Sequence, residues 1–178
     1  MEKLEQILPD VIFTQDVCEV CQIDTECTSA AVAKLEKIPE IIAITPQSLE
    51  DVFDSVLAIA KVMGKEAVGR SHIDTLKLRV DQVIDIQREH RLQPKSVLLL
   101  EWIDPLFNCG HWIPHQIAYA GGIDMLSHPA GDSIVIPWDK IVKYNPEVLV
   151  IAPCGYTMKR TLEDMKFLEE KPEWNSLR

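Results

Sequence analysis

Residues 65–91 read KEAVGRSHIDTLKLRVDQVIDIQREHR, with no proline and Gly69 as the only glycine. Leu76, Val80, Val83 and Ile84 lie on one stripe and charge is abundant elsewhere, the pattern of a helix with one apolar face. At 1.5 Å per residue, an unbroken helix of this length extends about 40 Å, enough to cross a small domain. The segments on either side are read relative to this strut.

Downstream, Pro94 stops the helix, and residues 96–101, SVLLLE, form the short apolar run of a parallel strand buried on both faces. The loop 102–112 leads into a helix with Pro114 near its first turn and Gly121-Gly122 at its end. A Gly/Pro/Ser loop around 127–133 precedes a short helix opened by Pro137-Trp138-Asp139, then a strand at 148–152 and a helix capped by Thr157 that runs toward Glu170. Upstream, Ser48 caps a helix with Glu50 and Asp51 in its first turn, where the helix dipole favours anions. Its apolar positions 49, 52, 53, 56, 57, 60 and 63 form one face, and Gly64 ends it. Earlier still come a helix tail at 4–8, a strand at 11–14, a helix through Ala30 to Leu35 and a strand at 41–44.

Strands alternating with helices imply parallel sheets, and the long helix separates two such groups. The expected protein is therefore α/β, with a partial N-terminal α/β lobe at 1–64, a backbone helix at 65–93 and a C-terminal α/β lobe at 94–178. Two strands and one complete connecting helix are too few to cover both faces of a sheet. Both lobes are thus expected to be incomplete here, with sequence missing upstream and a strand missing beyond Arg178.

A chain of 178 residues, 47% hydrophobic and 26% charged, can bury a core and has an ordinary soluble composition. No apolar run approaches the roughly 20 residues of a membrane helix, so the chain is not expected to span a bilayer. With 28 acidic and 18 basic side chains the net charge is −10, and no Lys/Arg cluster offers a face for phosphates. This argues against a nucleic-acid partner. The five cysteines are an odd number in a chain too long to need disulfide staples. Counted from Met1, the first residues carry charges where a secretory signal carries an apolar stretch, which leaves a cytoplasmic location open. GxSxG, GxxxxGK[ST] and GxGxxG are all absent, so no enzyme activity and no catalytic cofactor are expected.

In open parallel sheets ligands bind outside the carboxyl ends of the strands. That rule selects the loops 15–25, 45–48, 102–112 and 153–157, and from them the candidate ligand-binding residues Gln15, Cys18, Trp102, Phe107, His111, Trp112 and Cys154. Trp102, Phe107 and Trp112 crowd into one loop, which suits a platform for a ligand face, while His111, Gln15 and Asp104 offer polar groups for its rim. Cys18 and Cys21 form a CxxC, readable as a redox pair or as half of a zinc site that Cys109 and His111 complete. No second CxxC or His pair stands nearby, and His111 and His115, although four apart, lack the glutamate of HExxH. A loop of inert thiols is the expected reading, and a metal-handling or thiol redox protein using Cys18, Cys21, Cys109 and His111 is the competing class.

Four stretches go further. PDVIFTQDVCEVC at 9–21, EWIDPLFNCGHWIP at 101–114, AGG at 120–122 and PEVLVIAPCG at 146–155 together resemble the cobalamin-binding branch of the helical-backbone periplasmic binding proteins. The resemblance implies two Rossmann-like lobes joined by a long helix, a ligand held between them, delivery to the permease of an ABC importer, and an extracytoplasmic location. It implies cobalamin or a related corrinoid as the transported ligand, Phe107 against the corrin, and Asp139 docking to the permease. Gln15 departs from the pattern, standing where cobalamin binders have a cleft tryptophan, and Trp138 lies a few residues from the expected tryptophan. A siderophore, haem or metal ligand stays open.

Overall fold

The computed structural model describes residues 2–15, 25–33 and 35–177. In chain order the elements are α1 (Glu2–Ile7), β1 (Val11–Thr14), α2 (Thr25–Val32), β2 (Glu40–Ala43), α3 (Leu49–Val62) and α4 (Glu66–Glu89). They continue with β3 (Lys95–Trp102), β4 (Phe107–Asn108), α5 (Ile113–Tyr119), β5 (Gly122–Ile123), α6 (Trp138–Tyr144), β6 (Val148–Ile151), α7 (Met158–Asp164) and α8 (Lys166–Glu169). The chain divides into two compact units, Met1–Pro46 and Gln47–Arg178.

In the first unit β1 and β2 pair in parallel, from Val11 opposite Glu40 to Thr14 opposite Ala43. Glu40 N donating to Asp10 O and Ile44 N donating to Thr14 O extend the ladder at both ends. Helix α2 stops at Val32, earlier than the expected Leu35, because Leu35 N turns back onto Val32 O and both side chains are buried there.

The second unit is built on β3. Strand β6 runs parallel along it, with Val97 to Leu100 opposite Val148 to Ile151, β5 pairs in parallel with Lys95 and Ser96, and β4 pairs antiparallel beyond a register shift. Leu98 and Leu100 point into a core with Ile103, Leu106, Ile136, Ile141 and Leu168, while Val97 joins Cys109 and Ile117 in a second cluster. The strand is thus buried on both faces, as its continuous apolar run requires. Strands β4 and β5, two residues each, were not anticipated: the loop 102–112 opens with a hairpin, and Gly122 belongs to a strand rather than closing a helix.

Helix α4 runs unbroken over 24 residues, as the 65–91 pattern predicts. Its less exposed positions are Gly69, Ile73, Leu76, Lys77, Val80, Ile84 and Gln87, at helical spacing. Val83, expected on this stripe, is 44% exposed, since Val80 and Ile84 already define the buried face. Helix α3 packs along α4 within the second unit. Gly69 permits the close approach: a Cβ there would overlap the Cβ of Ala60. At the start of α3, Ser48 Oγ accepts from Asp51 N while the Asp51 carboxylate accepts from Ser48 N, a complete capping box. The helix expected from Thr157 toward Glu170 is two pieces, meeting at Met165, and the second drives Leu168 fully into the core. Among the described residues no helix is long and apolar enough to cross a membrane.

Candidate ligand-binding site

The carboxyl ends of β3 and β6 carry an aromatic shelf in the second unit. Pairing continues past β6 through Ala152 N to Leu100 O, 2.9 Å, and Cys154 N to Glu101 O, 3.1 Å, so the loop 153–157 lies against the end of β3. This brings the Trp102 and Tyr156 rings to 5.1 Å in an edge-on arrangement. Trp102 Nε1 donates to Asp104 O, 3.1 Å, at the turn that contains the cis Asp104–Pro105 bond. Phe107 stands opposite Trp102 in the β3–β4 register, where cross-strand side chains share a face, and it bridges to Val135 on its other side. Trp102, Phe107 and Tyr156 are all half-buried, Ile134 and Val135 beside them are exposed, and so is the Cys154 thiol. Beyond Tyr156, the Arg160 guanidinium lies 3.7 Å over its ring.

Behind the shelf a polar network fixes the loop 124–134. Asn108, 1% exposed, donates from Nδ2 to Leu126 O, 2.6 Å, and accepts at Oδ1 from Ile134 N, 2.7 Å. Asp124 accepts from Leu126 N, Ser127 N and Ser127 Oγ. Cys109 sits under this turn with Sγ 3.4 Å from Ser127 Oγ. Burial pushes its thiol up to about 12, against the opposing effect of the Ser127 hydrogen bond and with the Asp124 and Glu101 charges adding to the rise. A buried thiol held in its protonated form is a poor nucleophile at neutral pH.

Gly110 follows, and any Cβ there would collide with the backbone of residues 131–133. His111 has φ of 54° and is clamped in that left-handed conformation by His111 N to Gly131 O, 2.6 Å, and Ala130 N to His111 O, 3.1 Å. Its Nε2 is buried without a hydrogen-bond partner, and Asp132 Oδ1 is 3.6 Å away. The His111 and Trp112 rings are 5.9 Å apart, and among the described residues no ring contact joins this pair to Trp102 and Tyr156.

Gln15 follows β1 in the first unit, where it lines a groove with Phe13, Thr14, Thr28, Ile44 and Pro46. Cys18 and Cys21 lie outside the described residues. Asp139 is exposed in the first turn of α6, next to Trp138, which stacks on Trp174 and donates to Pro172 O, 2.7 Å. Among the described residues no three His, Cys, Asp or Glu side chains are grouped to hold a metal ion. Sequence reasoning missed Arg160 and Asn108. Arg160 was within reach, four residues after Tyr156 on the helix that leaves β6; Asn108 carries no signal, since its partners come from a loop 18 to 26 residues away.

A family model described as periplasmic binding protein matches residues 1–178. No curated protein matches the chain. Among solved structures, an ABC transporter substrate-binding protein from Listeria monocytogenes EGD-e is similar at TM-score 0.78 and 13% identity, over 99% of this chain and 66% of that one. S. aureus IsdE complexed with heme is similar at TM-score 0.75 and 14% identity, with the same coverage of 99% and 66%. The periplasmic vitamin B12 binding protein BtuF of Vibrio cholerae follows at TM-score 0.62 and 14% identity, again over 99% and 66%. At such identities the likeness is one of fold, and the chain spans 66% of the length of these structures.

Proposed function

Because the chain belongs to the periplasmic binding protein family, we propose that it is a solute-binding component of an ABC importer whose cargo is a cobalamin-like corrinoid. The observation that carries this reading is the shelf of Trp102, Phe107 and Tyr156 at the strand ends, a broad apolar face for a flat macrocycle. In this reading Phe107 and Trp102 stack on the ring, with Trp112, His111 and Cys154 on the same loops, and Gln15 and Cys18 contribute from the first lobe. The partition into a lobe at 1–64, a backbone helix at 65–93 and a lobe at 94–178, the docking of Asp139 to the permease, and an extracytoplasmic location belong to the same proposal. The protein holds and delivers; it performs no catalytic step.

Haem is the second reading, and the similarity to IsdE complexed with heme supports it as much as BtuF supports a corrinoid. Visible spectra of the protein titrated separately with hydroxocobalamin and with haem test both. Saturable, stoichiometric binding of hydroxocobalamin in preference to haem is the expected result. The reverse preference transfers the reading to haem, and binding of neither refutes a tetrapyrrole cargo for this chain.

A further inference from the structure

The shelf ends in a positive charge that has no carboxylate partner among the described residues. We propose that Arg160 is the anion-recognition residue of this site, selecting a ligand that carries a carboxylate or phosphate beside its apolar plane; the inference deepens the reading above and rests on it. Three observations on α7 support it. The guanidinium carbon lies 3.7 Å from the centroid of the Tyr156 ring, and Nη2 donates to the Tyr156 hydroxyl at 2.9 Å, so two contacts direct the exposed cation toward this ring. Tyr156 in turn meets Trp102, which makes the charge continuous with the apolar shelf.

Arg160 also forgoes the carboxylate that helix geometry offers it. Asp164 stands four residues on, the spacing at which an ion pair forms, and Lys159 does pair with Glu163 in this way at 3.8 Å. Arg160 turns toward Tyr156 instead, and among the described residues no carboxylate is within ion-pair distance of it. A guanidinium has five N–H donors in a fixed fork, and the Tyr156 hydroxyl takes one. In a chain with 28 acidic side chains and a net charge of −10, an arginine directed at the shelf with unspent donors is a place for an anion supplied from outside.

Paired probes of the same shape with and without the charge test this on the full chain. Pyrene-1-butyrate and its methyl ester, followed by fluorescence, form one pair; haem and haem dimethyl ester, followed by absorbance, form the other. Wild type is expected to prefer each acid over its ester by about 5- to 20-fold, as a charge-assisted hydrogen bond beside an apolar face would give. R160Q should remove that preference by weakening the acid alone, and R160K should keep part of it. Equal binding of acid and ester by wild type, equal weakening of both by R160Q, or no binding of either pyrene would overturn the proposal, the second outcome marking Arg160 as a brace for Tyr156. If hydroxocobalamin and both haems fail while the pyrene preference persists and disappears in R160Q, the tetrapyrrole cargo is refuted and the anion site stands.

Discussion

Phe107 and Asn108 are neighbours in sequence with opposite duties, because in a two-residue strand one side chain faces the shelf and the next faces the interior. Phe107→Ala is expected to weaken binding of a tetrapyrrole by about 1–3 kcal/mol and to leave the unfolding midpoint nearly unchanged. Asn108→Asp should do the reverse: it loses the donor to Leu126 O and buries a charge, for a destabilisation of about 3 kcal/mol in urea unfolding. If both variants alter stability equally, Phe107 is a core residue. The same alternation separates the thiols. Exposed Cys154 should alkylate readily at pH 8, whereas Cys109, raised to about 12 by burial, should label only after denaturation, as mass mapping of the modified peptides will show. Rapid labelling of Cys109 in native buffer would mean that the turn over it opens. The placement of Trp102 and Phe107 at the carboxyl end of the apolar strand was legible in the sequence, because the run at 96–101 is unmistakable. The burial of Cys109 was not, since it depends on how Asp124 and Ser127 fold a turn 15 to 18 residues downstream.

The helices α3 and α4 approach each other at Gly69, and the two standard expectations for a helical glycine disagree there. Propensity alone makes Gly69→Ala stabilising by up to about 1 kcal/mol. The added Cβ, however, overlaps the Cβ of Ala60, which has no rotamer to escape through, so a net loss of about 1–2 kcal/mol is expected. Ala60→Gly in the same chain should relieve it, making the pair non-additive by at least about 1 kcal/mol in a double-mutant cycle of thermal or urea stability. Additive effects would place the contact elsewhere. This pairing also explains a limit of the sequence reading. The apolar face of α3 and the length of α4 were plain from spacing, the Ser48 cap from residue type, and the stop at Gly64, with φ of 63°, from its need for left-handed backbone. Which surface the face of α3 covers was not plain, because it turns on one absent methyl group. Strands β4 and β5 escaped for a simpler reason: two residues are too few to show a period.

At the scale of the whole chain, alternating strands and helices around one long helix were enough to read an α/β protein with two separate sheets, and the two sheets differ in what holds them. In the unit Gln47–Arg178, β3 is hydrogen-bonded on both edges, and its Leu98 and Leu100 are fully buried together with Ile141 and Leu168. In the unit Met1–Pro46, the sheet among the described residues is two strands of four residues each, and no residue of either strand is buried; Val32, Leu35, Pro39 and Pro46 are the buried side chains there. A two-stranded sheet is marginal by itself, and loosely packed segments open locally at a lower free energy than a core strand. Amide exchange should therefore be ordered: Ile12, Phe13, Ile41 and Ile42 should exchange at least about 100-fold faster than Leu98, Leu99 and Leu100, a gap of roughly 3 kcal/mol in opening free energy. Hydrogen–deuterium exchange read by peptide mass in native buffer measures this directly. Saturating hydroxocobalamin, if the cargo contacts Gln15 as proposed, should slow exchange near β1 more than in β3, since ligand binding stabilises the segment that is open more often. Equal protection of the two sheets without ligand would overturn this ordering of their stabilities.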